Sequence, residues 1–250
     1  MEPNFSKESN KTEHSHVEFQ NLYSCQKIIR DWNAHPEWRS YDMIPILYTA
    51  LHTGKRFNPG TKDAPKLSQV VRNTESYIEG YTNKKLPLGE EVYLLTSKFS
   101  DKLDELLQET PKTLEKSVKD AALAYYVLCR IHPFPDGNGR VGRMIAKLIF
   151  KRAGLKDPIF HDQRWYGGDR SDHLEAIEKV DETNNMAHME LFFARSLVGM
   201  YSPLGEFGKH REVSKLISEK EKEIKINKGF QLSDIWDGFT GIPPYQPRNK

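Results

Sequence analysis

A twelve-residue segment, His132 to Arg143, concentrates side chains suited to chemistry. Pro133 and Pro135 prevent a preceding helix from continuing, so the His132 ring can leave the core. The Asp-Gly-Asn-Gly sequence at 136–139 is a dense turn whose two glycines can adopt positive φ. Successive backbone N–H groups in such a turn, followed by a helix N-terminus, form a concave site for an anion.

Two arginines extend this anion site. Arg140 and Arg143 are three residues apart on the first turn of the following helix, so their side chains lie near one another. Cations at a helix N-terminus oppose the helix dipole, which favours anions there. Because a bound anion would offset that repulsion, the spacing favours a site for a polyphosphate.

Other interpretations of the segment account for less of it. Residues 137–142 match the dinucleotide fingerprint G-x-G-x-x-G, but that fingerprint must follow a strand in a βαβ unit. Here a helical pattern and Pro-Phe-Pro-Asp precede it, and the chain has no P-loop sequence. A joint between two helices, with polar residues that cap helix ends, would leave His132 and the two arginines at fixed offsets without an explanation.

The elements that must position this segment are predicted to be helices. Residues 118–131 are apolar on nearly all faces and predict a central buried helix, and residues 141–153 predict an amphipathic one. Glycines, prolines and a short alternation within 53–88 predict a small β-hairpin or flap. The predicted fold class is mainly α, with one short β element.

The distribution of apolar and polar residues also divides the chain into three segments. Residues 1–16 are polar and without periodicity, which predicts a disordered lead-in. Residues 17–204 are predicted to form the main domain, with a core at about 40–200. Residues 205–250 are rich in Lys and Glu and then aromatic, which predicts a charged helical and irregular C-terminal appendage.

Composition narrows the function classes. The 250 residues carry 37 Lys and Arg against 35 Asp and Glu, a balance that disfavours a protein that coats nucleic acid or an anionic membrane. Two cysteines are too few for a disulfide scaffold, and no signal peptide or membrane span is evident, so the expected location is cytoplasmic, with a secreted effector as the alternative. The charge is uneven: Arg130 to Arg152 contains six basic residues and one acidic residue, Asp136.

The segment 132–143 resembles, position for position, the signature H-P-F-x-[DE]-G-N-G-R-x-x-R of the Fic family. The resemblance extends over about 40–200 and leaves 1–35 and 205–250 uncovered. It implies a helical bundle with a β-hairpin flap next to the active-site loop. It also implies a protein adenylyltransferase, which moves AMP from ATP to a Ser, Thr or Tyr hydroxyl of a target protein and releases pyrophosphate.

The resemblance assigns a role to each residue of the motif. His132 would be the general base, a role that suits an imidazole pKa of about 6.5. Asp136 would hold Mg²⁺, which prefers carboxylate and phosphate oxygens. Phe134 would pack the loop onto the core. The phosphates of ATP would be bound by Gly137, Asn138, Gly139, Arg140 and Arg143, with Arg140 near the β-phosphate and Arg143 at the γ-phosphate.

Candidate residues outside the motif depend on weaker patterns. Tyr77, Ile78 and Glu79 are candidate flap residues that would align the target segment by strand addition. Tyr166 is a candidate neighbour of the adenine, with a surface aromatic in a loop as the alternative. No S-x-x-x-E spacing completes the family's inhibitory motif. This favours a separate inhibitory, antitoxin-like protein or no inhibition, and the oligomeric state stays open.

Two alternatives to AMP transfer remain. Some relatives transfer UMP, phosphate or phosphocholine, although the phosphorylating relatives typically depart from the motif's second glycine, which is intact here as Gly139. The other alternative is a non-catalytic module that binds a nucleotide or a partner. The complete set of His132, Asp136, Asn138, Arg140 and Arg143 disfavours it.

Overall fold

A computed structural model describes residues 5–76, 86–109, 112–158, 172–198, 200–201 and 206–226. Over these residues the secondary structure is helical and contains no strand, which confirms the mainly α class. In chain order the helices are α1 (Phe5–Ala34), α2 (Ser40–Thr53), α3 (Leu67–Val70), α4 (Glu90–Gln108), α5 (Leu114–Ile131), α6 (Asn138–Arg152), α7 (Asp172–Thr183), α8 (Ala187–Val198) and α9 (Phe207–Lys225).

Helix α5 is the centre of the bundle. Its side chains are buried on nearly every face, as the apolar pattern at 118–131 predicts, and α4, α6 and α8 pack against it. The Thr113 hydroxyl caps its start by accepting a hydrogen bond from the Lys116 N–H at 3.2 Å. Its last residue is Ile131, so His132 stands at the end of the most buried element of the fold.

Helix α6 returns along α5 and forms with it the most extensive helix pair of the described bundle. The apolar stripe predicted from 141–153 faces inward: Val141, Ile145, Leu148 and Ile149 are each no more than 1% exposed. Residues 132–137 connect the two helices, so the motif loop lies at one end of a rigid helical pair.

Helix α1 differs from the predicted disordered lead-in. It begins at Phe5, which places residues 5–16 in a helix. No glycine or proline interrupts the sequence from Phe5 to Ala34, and its polar residues are compatible with a helix although they show no apolar period. Nearer its C-terminal end, Asn21 ties α1 to α2 by donating a hydrogen bond to the Leu51 carbonyl at 2.9 Å.

Helix α9 supplies the charged helix predicted after residue 205, but it is packed more deeply than an appendage. Val213 and Leu216 are buried, and α9 contacts α8 and α5. Lys220, from the Lys/Glu-rich stretch, is 1% exposed and forms an ion pair with Glu190 of α8 at 2.7 Å. Residues 227–250, which include the predicted irregular tail, lie outside the described residues.

The predicted β-hairpin is not tested by the part of the chain that the structure describes. Tyr77, Ile78 and Glu79 belong to 77–85, which lies outside it. The flanking residues 71–76 and 86–89 contain no strand, and the short helix α3 precedes them.

Candidate active site

His132 follows α5 in a left-handed backbone conformation. Its φ and ψ are 51° and 57°, an uncommon region for a residue other than glycine. The His132 Nδ1 lies 3.3 Å from the Cys129 carbonyl oxygen, and because a carbonyl only accepts, Nδ1 carries the proton in this contact. The Nε2 is then the unprotonated nitrogen.

The electrostatic surroundings keep the His132 ring neutral. Burial lowers the pKa of His132 to about 4, and the nearby positive charge of Arg72 acts in the same direction. The contact with the Cys129 carbonyl and the charge of Asp136 oppose the shift without cancelling it. At neutral pH the imidazole is therefore a hydrogen-bond acceptor at Nε2 rather than a cation.

Phe134 and Asn138 hold the motif loop onto the bundle. Phe134 is fully buried and stacks on Tyr48 of α2, with ring centroids 4.3 Å apart. The Asn138 side chain accepts from the Phe134 N–H at 2.9 Å and donates to the Phe134 carbonyl at 2.8 Å. The side-chain amide of Asn138 thus braces the loop, and its backbone N–H is the group that remains for an anion at the start of α6.

The N-terminus of α6 has the geometry of an anion site. Gly137 has a φ of 82°, and a Cβ there would lie 2.8 Å from Leu51 Cδ2, so only glycine fits. The first hydrogen bond of the helix runs from the Val141 N–H to the Gly137 carbonyl at 2.9 Å. The N–H groups of Asn138, Gly139 and Arg140 precede that bond and are the groups that bind anions at helix N-termini.

Asp136 and Arg140 form an ion pair next to the N-terminus of α6. Arg140 Nη2 is 2.5 Å from Asp136 Oδ2, and the Asp136 side chain is 70% exposed. Partial burial raises the pKa of Asp136, but the charge of Arg140 and the Gly137 N–H outweigh it, so the pKa is below its usual value. An exposed, ionised carboxylate beside an anion site suits Mg²⁺ that arrives bound to phosphates, which needs one or two protein carboxylates.

Arg143 lies one turn along α6, beside Tyr125 of α5. A Cβ on Gly139 would be 3.4 Å from both Arg143 Nη1 and the Tyr125 hydroxyl oxygen, which places both groups beneath the first turn of α6. The Tyr125 hydroxyl is buried and lies close to Arg143 and Cys129. Burial raises its pKa well above the usual value, so it remains a neutral donor. Nothing in the sequence singles out Tyr125 from the other aromatic residues of the buried helix.

Arg72 is a second residue that sequence patterns do not reveal. It is 4% exposed, and its side chain donates hydrogen bonds to the carbonyl of the motif's histidine and to that of the residue before it. A single arginine outside any motif gives no signal of such a role, since its partners are main-chain atoms about sixty residues away.

The remaining predicted site residues are not placed. Tyr77, Ile78, Glu79 and Tyr166 lie outside the described residues. Within the described ranges no group of three or more His, Cys, Asp or Glu side chains could hold a metal, so Asp136 would need phosphate oxygens to complete a Mg²⁺ site. No helix of the described part is long and apolar enough to span a membrane.

Comparison with known families identifies the segment of the chain that contains this site. The model of the Fic/DOC family matches residues 63–150, which include the whole motif and α4 and α5. Residues 63–150 of the chain therefore contain a Fic/DOC domain. The match begins before Arg72, so that arginine lies inside the Fic domain.

Proteins similar to part of this chain are named as adenylyltransferases. It is 34% identical over 89 residues to protein adenylyltransferase fic-1 of Caenorhabditis elegans, covering 36% of this chain and 16% of that protein. It is 48% identical over 67 residues to protein adenylyltransferase Fic of Aedes aegypti, covering 26% of this chain and 12% of that one. The matched stretch therefore spans a fifth or less of these relatives' length.

Solved structures show the same fold. A Fic domain-containing signalling protein from Bacteroides thetaiotaomicron aligns with a TM-score of 0.56 and 16% identity, over 82% of this chain and 72% of that one. Fic-1 of C. elegans, residues 134–508, aligns with a TM-score of 0.54 and 18% identity, over 83% and 52%. At these identities the likeness concerns the Fic fold alone.

Proposed function

We propose that this Fic chain is a protein adenylyltransferase, which transfers AMP from Mg-ATP to a Ser, Thr or Tyr hydroxyl of a target protein. The observation that carries the proposal is a neutral His132 on the loop that leads into α6, whose first two turns contain Arg140 and Arg143. The names of the relatives support the same activity.

His132 would accept the proton of the attacking hydroxyl. Its Nδ1–H is engaged with the Cys129 carbonyl, which leaves the Nε2 lone pair for the substrate. The hydroxyl oxygen bonds to the α-phosphorus of ATP, the bond from that phosphorus to the bridging oxygen breaks, and pyrophosphate leaves. The hydroxyl proton passes to Nε2 as the new bond forms.

The N-terminus of α6 would stabilise the charge on the phosphates. The N–H groups of Asn138, Gly139 and Arg140 and the guanidinium groups of Arg140 and Arg143 are held by a helix that packs on α5. These groups need little rearrangement when charge shifts toward the leaving pyrophosphate. Such preorganised electrostatic stabilisation is the main source of catalysis in phosphoryl and nucleotidyl transfer.

Asp136 would hold Mg²⁺ together with phosphate oxygens. When bound, the metal neutralises phosphate charge and orients the leaving group. Asp136 pairs with Arg140 through one carboxylate oxygen, Oδ2, so a bound metal would share the carboxylate with the arginine or displace it.

Labelled nucleotides test the proposal. The wild-type chain, incubated with α-labelled ATP and Mg²⁺ in a lysate, should label protein, and the His132→Ala variant should label it about 10²–10⁴-fold more slowly. His210→Ala, a histidine on α9, is the matched control and should retain the wild-type rate. Undiminished labelling by His132→Ala would overturn the proposal.

Parallel donors separate the alternatives. Label from γ-labelled ATP in place of α-labelled ATP would indicate phosphate transfer, and mass shifts with UTP or CDP-choline would indicate UMP or phosphocholine transfer. Absence of labelling with all donors would favour a module that binds nucleotide without transferring it. A labelled target protein would then be identified by mass spectrometry, as would any separate inhibitory protein that co-purifies.

A further inference from the structure

We propose that Arg72 is a positioning residue for His132, which it aligns through the backbone of residues 131–133. The catalytic part of this inference rests on the adenylyltransferase function proposed above. The structural part stands on the hydrogen bonds of Arg72 alone.

Arg72 binds three successive carbonyl groups at the end of α5. Its Nε donates to the His132 carbonyl at 2.6 Å, and its Nη2 lies 3.3 Å from the Ile131 carbonyl. Its main-chain N–H donates to the Pro133 carbonyl at 2.8 Å. Carbonyls at a helix C-terminus lack hydrogen-bond partners within the helix. Here Arg72 alone donates hydrogen bonds to the carbonyls of the histidine and of both its neighbours.

The same guanidinium holds two further stretches of chain. Its Nη1 donates to the Thr74 carbonyl at 2.6 Å, and its Nη2 donates to the Pro87 carbonyl at 2.9 Å. Arg72 therefore joins the segment after α3, the segment before α4 and the motif loop at one point.

The chemistry of these contacts requires an arginine. Among the described residues, the hydrogen bonds of the Arg72 side chain all go to carbonyl oxygens and none goes to a carboxylate. A buried cation with this set of partners is stabilised by many correctly placed acceptors rather than by one opposite charge. A planar guanidinium presents five donors in fixed directions, whereas a lysine ammonium presents three from a single point.

The backbone of His132 explains why such a clamp matters there. Left-handed conformations of residues other than glycine persist only where the surrounding structure holds them. Arg72 fixes the carbonyls on either side of this strained position, and the Asn138 amide braces the loop two residues further on. Without Arg72 the backbone can relax, and the imidazole moves relative to the phosphate site on α6.

Kinetics of Arg72→Lys provide the first test. Lysine keeps the positive charge but loses the planar set of guanidinium donors. We therefore expect kcat to fall by about 100-fold, the effect of displacing the His132 imidazole by about 1 Å. The KM for ATP should change by less than about threefold, because the phosphate-binding groups lie on α6. Arg195→Lys, on the exposed face of α8, is the matched control and should behave as wild type. Wild-type kcat in Arg72→Lys would overturn the proposal.

Titration of His132 provides a test that does not require enzyme activity. In nucleotide-free protein, NMR should give a low pKa for His132, which should rise in Arg72→Ala because water enters and a neighbouring positive charge is lost. Guanidinium ion added to Arg72→Ala should restore part of the low value and part of kcat. An unchanged His132 resonance and pKa in a folded Arg72→Ala protein would overturn the proposal.

The two tests separate this inference from the function on which it rests. If the wild-type chain transfers no AMP, the proposed function fails, and the NMR titration still decides whether Arg72 sets the position of His132. If the wild type is active and Arg72→Lys loses kcat in proportion to its unfolded fraction, measured by circular dichroism, Arg72 is only structural and the inference fails.

Discussion

Arg72 and Lys220 are both buried cations, 4% and 1% exposed, yet the protein stabilises them in different ways. Lys220 lies 2.7 Å from Glu190 and 2.9 Å from Glu223, so its charge is balanced by carboxylates. The Arg72 side chain donates instead to backbone carbonyls. A carboxylate pair mainly restrains the distance between two helices, whereas a set of carbonyl bonds restrains the course of the backbone.

The location of each cation matches this difference. Lys220 fastens α9 to α8, where a helix must be held in place. Arg72 lies beside the loop where the backbone conformation of His132 decides the direction of its ring. This difference predicts that substitutions at Lys220 and its partners mainly lower the free energy of unfolding. Substitutions at the motif loop should mainly change the pKa of His132 and the enzymatic activity.

The largest expected loss of stability comes from Lys220→Met. It leaves the Glu190 carboxylate buried without its cation, which costs about 3–5 kcal/mol. Urea unfolding should show this loss, while Lys222→Met, an exposed position of the same helix, should change the free energy of unfolding by less than about 0.5 kcal/mol. Adding Glu190→Gln to Lys220→Met should recover more than half of the loss. A loss below about 1 kcal/mol would contradict the importance of this pair.

The next largest effect is a pH dependence of the free energy of unfolding that originates at His132 in the motif loop. Burial lowers the pKa of His132 to about 4 from its ordinary value of about 6.5. Between these values the unfolded chain binds more protons, so stability is full above pH 6.5 and falls as the pH drops toward 4. The loss from this group should reach about 2–3 kcal/mol near pH 4.

His132→Asn isolates that contribution, because asparagine tolerates the left-handed conformation. In urea titrations, lowering the pH from 7 to 4.5 should reduce the free energy of unfolding more for the wild type than for His132→Asn. Other titrating groups, including His188, are common to both proteins and cancel. A difference that does not change with pH would show that the His132 pKa is ordinary.

Gly142→Ala should have a smaller effect on stability. A Cβ at this position would lie 2.8 Å from Tyr125 Cδ2, and overpacking of this kind costs about 1–3 kcal/mol. Gly208→Ala in α9 meets nothing within 4 Å and should be neutral or stabilising by up to about 1 kcal/mol. Thermal unfolding of both variants checks the contrast, and equal melting temperatures would show that α5 and α6 can separate to admit the methyl group.

Asp136→Asn should have the smallest effect on stability. The Asp136 side chain is 70% exposed, and surface ion pairs such as that with Arg140 contribute less than about 1 kcal/mol. The same variant should need a higher Mg²⁺ concentration for half-maximal labelling in the transfer assay. Unfolding curves and Mg²⁺ titrations measure the two effects, and an unchanged Mg²⁺ requirement would remove Asp136 from the metal site.

Much of the fold and motif could be predicted from the sequence, for reasons that are local. The apolar pattern at 118–131 marks a helix that is buried on most faces, and Pro133 ends it. The stripe of α6 follows a helical period, and Gly137 has the positive φ that a dense glycine turn requires. These features depend on residues within one or two turns of each other.

Other expectations were wrong or incomplete because the deciding contacts are distant in the sequence. Asn138 stays a predicted phosphate-binding residue through its backbone N–H, but the sequence did not reveal that its side chain braces Phe134. The Lys/Glu-rich stretch after residue 205 was expected to be an appendage, and packing on α8 buries Lys220 within it. Residues 5–16 have no apolar period, yet they form part of α1.

By itself the sequence determined the helical class, the position of the motif loop between α5 and α6, and the set of groups available to bind a polyphosphate. Only the tertiary structure decided which residues surround the motif: Arg72 at the histidine and Tyr125 beside Arg143 could not be identified in advance. The physical reason is that their partners are backbone carbonyls and the face of a neighbouring helix. Such contacts are made by many kinds of residue and leave no period or spacing in the sequence.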